Sequence, residues 1–88
     1  MYEVVEFVEV GGRPAPIETV MGVYPDESLA VEGARRARAG FLTSGRDDYA
    51  WWVVRTVGKK VAAFIADSKT DKEFVLDLTT NQLVEIAP

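Results

Sequence analysis

Apolar and polar residues alternate most cleanly over residues 73–78, where Phe74, Leu76 and Leu78 are interleaved with Glu73, Val75 and Asp77. A period of two is that of a β-strand, with the first set turned inward and the second outward. Residues 2–10 are rich in Val and Phe and predict another strand. There Glu6 falls on the same side as Tyr2, Val4, Val8 and Val10, so a bulge in this strand is expected to re-aim one side chain. The loop Gly11-Gly12-Arg13-Pro14-Ala15-Pro16 leads into a second strand over 17–24. Its apolar side is expected to comprise Ile17, Thr19, Met21 and Val23, with Gly22 marking a bulge or a close backbone approach.

The pattern changes to a period of 3.6 after Pro25. Asp26 suits an N-cap, Glu27 suits the first turn, and Gly40 supplies a left-handed stop, which predicts a helix over about 26–39. Leu29, Ala30, Gly33, Ala34 and Ala37 form its apolar stripe, with Phe41 just beyond the end. These side chains are small, so the bulk at the helix–sheet contact must come from the sheet. Strands over 49–57, 61–66, 73–78 and 83–86 follow, joined by turns at Val57-Gly58-Lys59-Lys60, Asp67–Lys72 and Thr79–Gln82, with Asn81 able to take the left-handed position. The expected fold class is α+β: a mostly antiparallel sheet of five to six strands, in the order β-β-α-β-β-β-β, with one helix packed on one face. Many unrelated small bacterial and phage proteins share that order, and it names no function.

The strand over 49–57 is apolar on both sides, which places it centrally. Adjacent residues of a strand point to opposite faces, so Trp51 and Trp52 must face different ways. Ala50 and the helix alanines leave room for one large ring, which assigns Trp52 to the helix side. Tyr49, Trp51 and Arg55 then share the other face, a composition found at interface hot spots and base-stacking platforms. The competing expectation is a sheet curled into a half-barrel that encloses both indoles.

Composition narrows the functional classes. The 88 residues suit a single domain over 1–88 with one core. With no Cys and no His there is no thiolate, no imidazole base and no ordinary zinc site, and catalysis is not expected. The pairs Asp47-Asp48 and Asp67/Asp71 lack the spacing of a calcium loop, and the glycines lack that of a phosphate cradle, so neither metal nor cofactor is expected. No apolar run approaches membrane-spanning length and the first residues lack a basic-then-apolar leader, giving an expectation of a cytoplasmic protein without membrane contact.

The net charge of −4 is unevenly spread: −6 over residues 1–32, +5 over 33–60 and −3 over 61–88. Arg35, Arg36 and Arg38 are the densest positive cluster. The expected function is a non-enzymatic module that binds a protein or a second copy of itself, as a homodimer, through Tyr49, Trp51 and Arg55. Two alternatives stay open: a nucleic-acid binder using Arg35, Arg36, Arg38 and Trp51, or a small acidic inhibitor covering a basic surface of a larger complex.

Overall fold

The computed structural model describes residues 1–86. Six strands and one helix follow in chain order: β1 (Tyr2–Glu9), β2 (Ile17–Tyr24), α1 (Glu27–Thr43), β3 (Tyr49–Thr56), β4 (Ala62–Asp67), β5 (Glu73–Asp77) and β6 (Gln82–Glu85). The strands form one antiparallel sheet in the order β2-β1-β3-β4-β5-β6, with α1 packed across β1, β2, β3 and β4 on one face. The α+β class, the six strands and the inner position of the tryptophan strand are as the pattern predicts. The sheet is open, with β2 and β6 at its edges, and does not close around both indoles.

The helix is one turn longer than its glycine suggests. Asp26 caps it as expected, accepting a hydrogen bond from the Leu29 backbone N–H at 2.9 Å. Gly40 lies inside the helix, and the chain leaves through Ser44, whose hydroxyl and backbone N–H both donate to the Phe41 carbonyl, and left-handed Gly45. The extra turn buries Phe41 against Trp52, edge to face at 5.4 Å. Burying such a ring outweighs the roughly 1 kcal/mol that an interior glycine costs a helix. Ala30, Gly33, Ala34 and Phe41 are the buried residues, whereas Leu29 is exposed. At Gly33 a Cβ would lie only 2.6 Å from Tyr24 Cζ, so the missing side chain is what lets the β2 tyrosine ring reach the helix.

Three expectations about strand faces are corrected. No bulge interrupts the β1–β3 register, and the one between β1 and β2 lies beside Gly22, where that glycine suggested it: Val4 pairs with Gly22 and Val5 with Val20, leaving Met21 as the extra residue. The faces of β2 therefore exchange at Met21, and Ile17, Thr19, Met21 and Val23 do not share one side. Glu6 remains on the helix side with Val4 and Val8, because the Trp52 indole N–H donates to its carboxylate at 3.0 Å. In β5 the alternation is present but reversed. Val75 packs toward the core beneath the helix, Phe74 and Leu76 fall on the opposite face, and Leu78 is outside the strand and 87% exposed. Glu73 fixes this phase, since only the helix side offers it the guanidinium of Arg35.

The core lies between α1 and the sheet: Val4, Val8, Ala50, Trp52, Val54, Phe64 and Ala66 against Ala30, Ala34 and Phe41. The helix contributes small residues, as the sequence requires, plus Phe41 from its extra turn, while Trp52 and Phe64 come from the sheet. No described helix is long and apolar enough to cross a membrane.

Candidate functional site on the open face of the sheet

The face of the sheet opposite α1 is built by cross-strand register. Glu9 stands beside Tyr49; Glu18, Phe7, Trp51 and Asp67 form the next row; Val20, Val5, Val53, Ile65, Phe74 and Glu85 the row after that. Trp52 is fully buried on the helix side, whereas Trp51 is half-buried on this face, so the two indoles point oppositely. Trp51 stacks on Phe7 with ring centroids 5.3 Å apart and planes 6° from parallel, and Tyr49 tilts against it at 5.5 Å.

This face has two unlike halves. Over β1, β2 and β3, the Arg55 guanidinium donates to Glu3 at 2.7 Å and stands 3.6 Å from Glu18. That network and the Phe7–Trp51 stack flank Val5 and Val53, which are buried although no helix lies over them. Over β3 to β6, no comparable ion network covers the sheet among the described residues. A groove of about 540 Å³ opens there between Tyr49, Trp51, Ile65, Phe74 and Leu83, with Glu9, Asp67 and Lys72 at its polar end. Its volume falls within the range of small-ligand and side-chain pockets.

The polar end is partly preorganised. Tyr49 Oη donates to Asp67 Oδ2 at 3.1 Å, and Asp67 Oδ1 accepts from the Thr70 backbone and hydroxyl and from the Lys69 backbone. Partial desolvation opposes ionisation of Asp67, but these hydrogen bonds together hold its carboxyl below the usual range. Desolvation, followed by the bond to Asp67, pushes the Tyr49 hydroxyl above its ordinary value. Lys72 Nζ lies 4.0 Å from Glu85, and Glu9 has no ion-pair partner among the described residues.

Of the residues singled out from the sequence, Tyr49 and Trp51 meet in this groove; Arg55 shares their face but is neutralised outside it. Arg35, Arg36 and Arg38 belong to α1, on the far side of the sheet. Arg35 makes a two-pronged pair with Glu73 at 2.8 and 2.9 Å, which lowers the Glu73 pKa and raises that of Arg35. Arg38 donates to the Asp67 and Thr70 carbonyls at 2.6 and 2.7 Å. Arg46 pairs with Asp48 at 2.8 Å, leaving Arg36 as the exposed member of the cluster without a described partner. The structure therefore does not bring Trp51 and the helix arginines onto one surface. Phe7, Glu9, Ile65, Lys72, Phe74 and Leu83 join the site without having been singled out, as does Asp67, which was weighed only as half of an acidic pair. Only the aromatic content of 2–10 pointed toward them, and the expected phase of β5 pointed Phe74 the other way. Among the described residues no three acidic side chains come together as a metal site.

No protein-family model matches the chain, and comparison with curated proteins and with solved structures likewise yields no match.

Proposed function

We propose that the protein is a small, non-enzymatic binding module that makes protein–protein contacts, with another chain or with a second copy of itself, through the open face of its sheet. The observation that carries this reading is Trp51. It is an aromatic side chain stacked and oriented by Phe7 and Tyr49, beside an apolar groove that no part of the described chain fills. Buried aromatic anchors in preformed pockets supply most of the energy at protein interfaces. A cytoplasmic setting belongs to the same reading, since a cysteine-free chain suits a reducing compartment as well as any other.

The nucleic-acid alternative has less support. Its aromatic and basic elements lie on opposite sides of the sheet, and two of its three arginines are held by the protein's own acceptors. Affinity capture from host extract with wild type and Trp51→Ser, paired with sedimentation equilibrium of both, tests the proposal. A partner or a self-association present in wild type and lost in a folded Trp51→Ser protein is the expected result. Retention of every association by that variant refutes it.

A further inference from the structure

We infer that the occupant of the β3–β6 groove is a short basic amphipathic helix of a partner protein, its apolar side on Trp51, Ile65, Phe74 and Leu83 and a Lys or Arg at the Tyr49–Glu9 end. The inference rests on the binding reading above and narrows it to a class of partner.

Three observations select this occupant. The first is charge. Among the described residues the open face carries Glu3, Glu9, Glu18, Asp67 and Glu85 against Arg55 and Lys72. Both bases already have acidic neighbours on that face, Glu3 and Glu18 for Arg55 and Glu85 for Lys72. The charge left over beside the groove is negative, at Glu9 and Asp67, next to two electron-rich rings. A cation is favoured there both by the carboxylates and by the faces of Tyr49 and Trp51. A second copy docking by a two-fold axis would instead bring two sets of these carboxylates together.

The second observation is the lining. The groove floor consists of side chains of β3, β4, β5 and β6, whose backbones are paired within the sheet except along the outer edge of β6, so the apolar floor itself offers no backbone donors or acceptors. An extended segment laid on it would leave its own N–H and C=O groups without partners, whereas a helix satisfies them internally. The third is size. Four strands from β3 to β6 span roughly 14 Å at the normal inter-strand spacing. That matches about nine or ten residues of helix. The other face of the same sheet already accepts α1, so a second helix would complete a three-layer arrangement.

The test uses the full chain and two designed peptides of about fourteen residues, a length near the minimum for a stable helix. One is a Leu/Lys amphipathic helix and the other its Leu/Glu counterpart. Binding is followed by calorimetry and by tryptophan fluorescence. The Leu/Lys peptide is expected to bind at least about tenfold more tightly than the Leu/Glu peptide. Glu9→Lys should remove most of that preference, while Glu27→Lys, the same charge change on α1, should leave it. Trp51→Ser should abolish binding with the circular dichroism unchanged. Equal binding of both peptides, no binding of either, or equal effects of Glu9→Lys and Glu27→Lys overturns the inference. Self-association that Trp51→Ser removes, without a preference for the basic peptide, would overturn the basic partner while sparing the open-face module. Indifference of every association to Trp51→Ser would overturn both.

Discussion

The two faces of the sheet carry neighbouring tryptophans with opposite fates. Trp52 is enclosed by Phe41 and the small-residue stripe of α1, and its indole N–H is satisfied by Glu6. Trp51, one residue earlier, has the same side chain and nearly the same backbone setting but lies in a shallow aromatic row with its outer surface free. The residue type does not decide its role; the presence or absence of a covering layer does. On one face the hydrophobic effect has been used to hold the fold, and on the other an equivalent ring is left available for association.

The largest test of that difference is to remove each ring in turn. Trp52→Ala is expected to lower unfolding free energy by about 3–5 kcal/mol in urea or guanidinium titrations. Trp51→Ser should cost less, about 1–3 kcal/mol, from the pairing with Phe7 and Tyr49 together with the half of the ring that is already buried. Equal losses would mean that the open face is as much a core as the helix face.

Next in size is the acid beneath the helix. Glu6→Leu removes the acceptor of the Trp52 N–H and should destabilise by about 1–3 kcal/mol, because a buried donor is left without a partner. Glu6→Gln keeps an acceptor oxygen and should lose less, as thermal or chemical denaturation would show.

The smallest effect is the pH dependence of the helix-to-sheet ion pair. The bond from Arg35 holds Glu73 below its ordinary value of 4.5, so the unfolded chain takes up the proton first as pH falls. The stabilisation is therefore complete above that value and is lost as pH falls through the depressed folded pKa. Glu73→Gln should flatten this part of the acid limb. An unchanged limb would show that the pair, half-exposed at Arg35, contributes nothing measurable.

Much of this arrangement was legible in the chain. Ala30, Gly33 and Ala34 on one helix stripe, opposite a strand with two adjacent indoles, dictated which component supplied bulk and which supplied room. The phase of β5 was not legible, because Phe74 and Val75 are both apolar and hydrophobicity alone cannot choose between them. The choice came from Glu73, through an arginine 38 residues away. The β2 bulge was half legible: Gly22 marked a bulge or close approach on that strand, but strand pairing decides that the extra residue is Met21, which looks like its neighbours in the sequence. The groove was half legible. Tyr49 and Trp51 announce themselves on one strand, but Phe7, Ile65, Phe74 and Leu83 reach them only through the register of other strands.

The placement of β1 between β2 and β3 bears on the order in which the chain can acquire its structure. The Trp52–Glu6 hydrogen bond joins residues 46 positions apart, and every contact between β1 and β3 spans the intervening hairpin arm, helix and loops. A chain synthesised only as far as Gly45 contains the β1–β2 hairpin and α1 but neither Trp52 nor Phe64. Its helix then has Tyr24 at Gly33 but neither of the two fully buried sheet rings that fill the rest of its small-residue stripe. Such non-local pairing carries a loop-closure cost before it returns any burial. The emergence of β3 is thus the committing step, and the N-terminal half is expected to wait for it rather than fold ahead as an independent unit.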